Sequence, residues 1–342
     1  MRKNILLAVC SFTWLFCLLP FLSGAYAWTL PDTGQTECYT EEPTSDCPAP
    51  GERFYGQDAN YESAQPAYRD NGDGTVTDLN TGLMWQKTVD PLARNYSEAE
   101  SYAASLSLGG HTDWRLPSVQ ELVSIVNYGP YTPPVDPVFG WCWGGHWTSN
   151  AYEMYWEDSV WVVDFNRGKT YYNRKTNINH LRCVRGEEIP APCFVDNLDG
   201  TVTDITNGLV WQKVDDGVER DWEAACEYCE KIKLAGCDDW RLPNLREFNS
   251  IIDYTEKGSE DCYVSMNAAF YYRGEWYWSG TPVAYSYSDF NAWSVRLYHT
   301  TYYTYVLGVT SNQALYTRCI RGGVSQPVLP SADLEIQGNG LP

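Results

Sequence analysis

The stretch "DWRLPSVQEL", Asp113 to Leu122, is written again 126 residues later as "DWRLPNLREF", Asp239 to Phe248. Each copy reads as the entry to a helix. Ser118-x-x-Glu121 is a capping box, in which the hydroxyl accepts from an early backbone N–H and the glutamate reaches back to the cap. Asn244-x-x-Glu247 is the same device with asparagine as cap. Pro117 and Pro243 keep the chain extended just before it. Leu122, Ile125 and Val126 follow, matched by Phe248, Ile251 and Ile252, and spacings of three and four give an amphipathic helix with one face inward. Trp114 and Trp240 lead into these helices and belong in the interior, where burying one such aromatic is worth about 2–3 kcal/mol. Arg115 and Arg241 stand beside them in both copies. A planar fork that satisfies a carboxylate or buried carbonyls, with its stem on the indole, explains that placement. Trp114, Arg115 and Glu121, with Trp240, Arg241 and Glu247, are therefore assigned to the structural frame.

The copying extends well beyond the motif. "DNGDGTVTDLNTGLMWQK" (Asp70 to Lys87) matches "DNLDGTVTDITNGLVWQK" (Asp196 to Lys213) at the same offset, and "LRCVRG" (Leu181 to Gly186) answers "TRCIRG" (Thr317 to Gly322) at an offset of 136. Two units of this length are tandem domains rather than a solenoid. The boundaries expected are a leader over 28–67, repeats over 68–187 and 188–323, and a tail over 324–342, with Pro190 and Pro192 stiffening the linker. Each unit reads alike. An Asp-Gly turn opens a hairpin at "DGTVTD". A helix follows, capped by Asn95 with Glu98 and ended by Gly109, or capped by Asp221 in the second copy. The capping-box helix comes next, then a hairpin at Ser159 to Tyr172 or Asn291 to Val306, then the closing strand. This is an α+β order with antiparallel pairing. Two separate interiors are expected, and one interior spanning both halves would contradict the reading.

Arg2 and Lys3, the apolar run Ile5 to Leu22 and Ala25-Tyr26-Ala27 read as a secretory signal peptide over 1–27. The run is also long enough to span a membrane, but the small-x-small end favours cleavage. No later segment is apolar enough to span. The chain carries 24 basic and 44 acidic residues, and loss of Arg2 and Lys3 with the signal takes the net charge from −20 to −22. Such a surface repels nucleic acid, anionic membranes and polyanionic glycans. The 15 Trp and 26 Tyr exceed what a core needs and offer stacking surfaces.

Ten cysteines remain after residue 27, an even number in an exported chain, which implies disulfides. Cys38 with Cys47 closes a small loop in the leader. Cys142 with Cys183 and Cys262 with Cys319 each join the middle of a repeat to its last strand. The pairing of Cys193, Cys226, Cys229 and Cys237 stays open. Cys226-x-x-Cys229 has no second such pair to complete a zinc site. Asp70, Asp73 and Asp78 fail as an EF-hand, because the first ligand position would fall on Arg69 or Val195. No metal and no cofactor is implied.

Taken in order, "DNGDGTVTD…TGLMWQK…DWRLPSVQEL…W…RCVRG" resembles the domain named after the C-terminal domain of the Legionella collagen-like adhesin. The leader "LPDTGQTECY…CP…FYGQDANY" is similar to one that precedes such domains in bacterial exported proteins. The resemblance implies two tandem C-type lectin-like domains, each with two helices packed on a twisted antiparallel sheet and a long loop region. It also implies a secreted, periplasmic or cell-surface protein used in adhesion. The calcium-dependent sugar motifs of true lectins are absent. The entry to the helix also resembles the formylglycine-generating enzyme group, but that chemistry needs paired reactive cysteines, and Cys183 and Cys319 stand alone on closing strands. His111, His146, His180 and His299 occupy no equivalent positions, so no catalytic set is read. Binding falls to aromatics of the variable segments: Trp141, Trp143 and Trp156 in the first repeat, Tyr271, Tyr272, Tyr302 and Tyr303 in the second. Trp147, Trp276 and Tyr305 lie in the same segments. Asn150, Glu153, Asp289 and Asn291 stand nearby to orient hydroxyls. The partner expected is a glycan or a surface protein, and the alternative is a structural module of a surface fibre or a homo-oligomer.

Overall fold

The computed structural model describes residues 29–40, 43–44, 46–129, 135–140, 143–152, 158–252, 254, 270–271, 273–283, 291–296, 306–323 and 325–327. The segment read as a signal peptide lies outside them.

The leader contributes three short strands, β1 (Cys38–Tyr39), β2 (Pro43–Thr44) and β3 (Tyr61–Glu62), with a 3-10 turn at Asp58–Asn60. The first repeat then runs β4 (Tyr68–Asp70), β5 (Thr75–Asp78), β6 (Met84–Gln86), α1 (Tyr96–Ser105), α2 (Val119–Ser124), β7 (Gly145–Tyr152), β8 (Ser159–Asp164), β9 (Lys169–Arg174) and β10 (Val184–Arg185). The second repeats the order with β11 (Phe194–Asp196), β12 (Thr201–Asp204), β13 (Val210–Gln212), α3 (Trp222–Lys231), α4 (Leu245–Ser250), β14 (Trp276–Pro282), β15 (Asn291–Arg296), β16 (Val306–Thr310) and β17 (Ile320–Arg321). A last strand, β18 (Ser325–Pro327), pairs with β3 of the leader. The chain is α+β, and every pair of named strands among the described residues is antiparallel. Each repeat divides its strands between two sheets, β10-β6-β5-β4 with β7-β8-β9, and β11-β12-β13-β17 with β14-β15-β16. The single sheet per repeat expected from the resemblance is thus split in two. The closing strands β10 and β17 pair with β6 and β13, which makes each four-stranded sheet non-local.

The opening hairpins owe their shape to asparagine and aspartate. Asn71 Nδ2 donates to the hydroxyls of Thr75 and Thr77 at 2.9 and 3.0 Å, and Asn197 does the same for Thr201 and Thr203 at 2.8 and 2.9 Å. Asp73 and Asp199 each accept from a threonine backbone N–H at 3.0 Å. Such side-chain-to-backbone bonds are how these residues fix turns. The helix starts carry the expected caps: Asn95 with Glu98, Ser118 with Glu121 and Asn244 with Glu247 are reciprocal boxes, and Asp221 accepts from Ala224 N–H. The helix stops differ from expectation. α1 ends at Ser105, because Leu106 turns extended, and Gly109 sits in a separate tight turn closed between Leu108 and His111. That turn presents the Leu108 carbonyl to Trp114 Nε1 at 3.2 Å, and Leu234 serves Trp240 in the same way at 3.3 Å. Both indoles are buried.

The expectation of two separate interiors is corrected. One apolar cluster takes in Val76, Trp85, Leu122 and Val126 of the first repeat together with Val202, Trp211, Phe248 and Ile252 of the second. Smaller clusters stay within one repeat each, around Trp114, Trp147 and Leu181, and around Trp222, Trp240 and Trp278. The repeats meet through α2 and α4 with a pseudo-two-fold relation. Tyr128 packs edge-on to Trp293 at 5.9 Å, and its counterpart Tyr254 packs edge-on to Trp161 at 5.2 Å. Gln120 donates to the Ile252 carbonyl at 3.2 Å, while Arg246, at Gln120's place in the second repeat, donates to the Val126 carbonyl. The short helices leave the carbonyls of Val126 and Ile252 beyond their last turn, and buried acceptors of that kind need donors.

The leader touches the first repeat, where the Tyr128 N–H donates to the Thr33 carbonyl at 2.9 Å, and it also packs on the second. Arg53 pairs with Glu223 at 2.7 Å, Tyr61 donates to Glu230, Phe54 lies 6.2 Å from Trp222, and the Thr281 hydroxyl donates to Asp58 at 2.7 Å.

Two disulfides join described residues: Cys38–Cys47 in the leader and Cys229–Cys319 between α3 and the closing strand. The second replaces the expected Cys262–Cys319 pair, because Cys229 of α3 shares a buried cluster with Cys319, the residue just before β17. The expected Cys142–Cys183 pair is corrected too: Cys183 is a buried free thiol, and Cys142 lies outside the described residues, as does Cys262. Cys193 is an exposed thiol and Cys226 a buried one.

Candidate functional site

Arg115 and Arg241 hold the frame. Arg115 grips Glu121 with two nitrogens at 2.7 and 2.6 Å, while the same carboxylate accepts from the Ser118 N–H at 2.8 Å. Arg241 grips Glu247, whose carboxylate accepts from the Asn244 N–H at 2.8 Å. One glutamate thus closes the capping box and neutralises the arginine, which is what a buried charge requires. Arg115 is 30% exposed and Arg241 only 4%, because the leader's Tyr61 ring lies over Arg241 at 5.4 Å.

A second pair of arginines holds the base of the variable segments. Arg182 is fully buried and donates to the carbonyls of Gln86, Lys87 and Phe139. Arg318 is its counterpart and donates to the carbonyls of Gln212, Lys213 and Tyr271. Each fork ties the strand β6 or β13 to the residues that enter the loop region. The sequence reading passed over both; the signal available was their recurrence in "LRCVRG" and "TRCIRG".

Above that common base the repeats differ. In the second, Asp215 is buried, accepts from Arg273 Nε at 2.6 Å and Tyr277 OH at 2.8 Å, and lies 3.6 Å from Arg318. Arg273 stands between the rings of Tyr271 and Tyr316, at 5.8 and 5.5 Å, and Arg296 lies 5.6 Å over Trp276. Tyr271 is 55% exposed. The result is a ridge of alternating aromatic and guanidinium groups, suited to stacking on flat apolar faces while donating hydrogen bonds. The first repeat has Val89, Gly145, His146 and His180 where the second has Asp215, Trp276, Tyr277 and Tyr316. His146 is fully buried; desolvation and then the neighbouring Arg182 charge depress its pKa to about 3, so it is neutral.

The aromatics singled out from the sequence divide as follows. Tyr271 is on the ridge. Trp143 is half-buried, with its indole N–H turned inward. Trp147 is entirely buried and donates to the Arg94 carbonyl at 2.8 Å, so it is packing. Trp141, Trp156, Tyr272, Tyr302, Tyr303 and Tyr305 lie outside the described residues, with Glu153 and Asp289. Asn150 caps α2, accepting from Val119 N–H at 2.8 Å. Arg273 and Asp215 were missed, and lone charged residues in a variable segment carry no periodic signal.

Burial raises the Cys183 thiol to about 12. Among the described residues no group of three or more His, Cys, Asp or Glu could hold a metal ion. No helix among them is long and apolar enough to cross a membrane. None of the curated proteins compared with the chain matches it. The family model of the Lcl C-terminal domain does, twice, over residues 74–185 and 200–321. The frame arginines, the helix caps and both closing strands fall inside those two spans, and the chain belongs to the Lcl C-terminal domain family.

Proposed function

We propose that this is an exported, non-catalytic recognition protein of the adhesin type, displayed at the bacterial surface, whose two repeats are variants of the C-type lectin-like fold. The first 27 residues act as its signal peptide, and the repeats occupy 68–187 and 188–323. Ligand is held by the ridge of the second repeat, with Tyr271, Arg273, Trp276 and Tyr316 as contact residues. The observation that carries this is the contrast between base and ridge: Arg182 and Arg318 hold the loop base alike, while the residues above it are exchanged wholesale. A shared scaffold under divergent aromatics, with Tyr271 exposed and Trp276 and Tyr316 half-buried, is how binding surfaces are built on a fixed fold. The ridge has both stacking faces and donors, which suits a glycan.

The test is a glycan array probed with and without calcium. The wild type is expected to give a defined set of hits, and Tyr271→Ala and Trp276→Ala to lower them at least about tenfold, a loss of about 1.4 kcal/mol. A blank array from a protein that forms stable multimers on sizing would contradict the glycan reading and favour assembly.

A further inference from the structure

A cleft of about 270 Å³ opens between the repeats, away from the ridge, and is lined by Ser118, Gln120, Asn150, Glu188, Pro190 and Tyr254 among others. One wall is α2 and β7 of the first repeat. Another is the linker, held in place by the Ile189 N–H, which donates to Glu121 at 3.4 Å. Tyr254 of the second repeat contributes the apolar floor. The pseudo-two-fold gives this cleft a counterpart, and the counterpart is filled. There the leader supplies oxygen atoms: Asp58 accepts from Thr281, which stands where the first repeat has Asn150, and the Asp32 carbonyl accepts from Arg246, which stands where it has Gln120. The equivalent cradle thus already receives oxygen-rich chemistry.

The open copy differs in charge. Neutral Gln120 replaces the cation, and the exposed carboxylate of Glu188 is the one charged group among the lining residues. An anion is disfavoured there. What remains is a balanced set. Asn150 spends its oxygen on Val119 N–H and keeps its NH2 as a donor. Ser118 accepts from the Glu121 N–H and keeps its hydroxyl hydrogen. Gln120 spends its NH2 on Ile252 and keeps its oxygen as an acceptor. Glu188 accepts as well. Groups that both donate and accept, on a compact ring with an apolar face, match this set. The volume lies just under the roughly 300–1,000 Å³ of drug-sized sites, so it suits a single ring.

We propose that the inter-repeat cleft binds one neutral pyranose ring, as free sugar or as the terminal unit of a glycan, at a site separate from the ridge of the second repeat. The test is NMR titration of the full protein with methyl α-glucoside, methyl α-galactoside and methyl α-mannoside, with N-acetylneuraminic acid as anionic control. At least one neutral glycoside is expected to saturate with a Kd of about 1–10 mM. Ala191→Trp, at an exposed rim position, should weaken it at least about tenfold. Asn150→Asp, which keeps the cap on Val119 and removes the donor, should do likewise. Tyr271→Ala should leave it unchanged, and that separates failure here from failure of the ridge. A disaccharide containing the preferred ring at its non-reducing end, binding as well as the monosaccharide, marks a terminal glycan unit. The proposal is overturned if no neutral glycoside saturates, if the anionic sugar binds equally, or if folded Ala191→Trp and Asn150→Asp both bind as the wild type does.

Discussion

Leu198 is 89% exposed and sits at φ 61°, where the first repeat has Gly72 at φ 76°. A Cβ in that region is strained, while glycine is at ease there. Leu198→Gly should therefore stabilise the protein by about 0.5–1 kcal/mol, against the usual direction for a glycine substitution; an unchanged or lower denaturation midpoint would contradict the strain. Asp58 stores energy of another kind. Burial, with the Asp32 charge adding to it, raises its carboxyl from 3.8 to about 7. The folded protein then keeps a proton that the unfolded chain releases above 3.8. This contribution is whole below about pH 3.8 and is lost as pH rises to 7. Asp58→Asn, shaped like the protonated acid, should match the wild type near pH 4 and exceed it by about 1 kcal/mol or more at pH 8. The difference between the two proteins removes His146, whose depressed pKa acts oppositely between 3 and 6.5. A gap that does not grow with pH would contradict the account.

At the scale of elements, α1 and α3 occupy the same place but are fastened differently. Cys229 of α3 bonds Cys319, whereas the equivalent residues of the first repeat are Ala103 and the buried thiol of Cys183. Ala103→Cys should form the missing bridge and add about 2–4 kcal/mol to the first repeat. Thiol counting by mass spectrometry and melting with and without reductant would show it; two free thiols at 103 and 183 under oxidising conditions would refute the equivalence. The same comparison explains what could be read in advance. Helix starts were legible, since Ser118 with Glu121 and Asn244 with Glu247 are local devices. The opening hairpins were legible for the same reason. The disulfide within the second repeat was not, because Cys319 finds its partner according to which helix lies under the closing segment, and spacing carries no record of that. Nor was the end of α1, where Gly109 looked like a stop but belongs to the turn that serves Trp114. Of the ridge, Tyr271 and Trp276 were legible as surplus aromatics, while Arg273 and Asp215 were not.

The whole molecule is built on a relation that no single repeat displays. The apolar faces of α2 and α4 were visible as faces, but a face does not name its partner. They cover each other, and Tyr128 on Trp293 mirrors Tyr254 on Trp161. The leader then reaches past the first repeat, fills the second repeat's cradle and pairs with β18, so the segments flanking the repeats close on the second one. That asymmetry leaves the first repeat's cleft open and fixes the ridge on a doubled scaffold. If both repeats share one interior, they must lose it together. Differential scanning calorimetry of the protein without its first 27 residues tests this most directly. The account predicts one transition whose calorimetric and van't Hoff enthalpies agree, and whose midpoint falls as a unit on Trp293→Ala. Two resolved transitions, with only the second moved by that substitution, would contradict it.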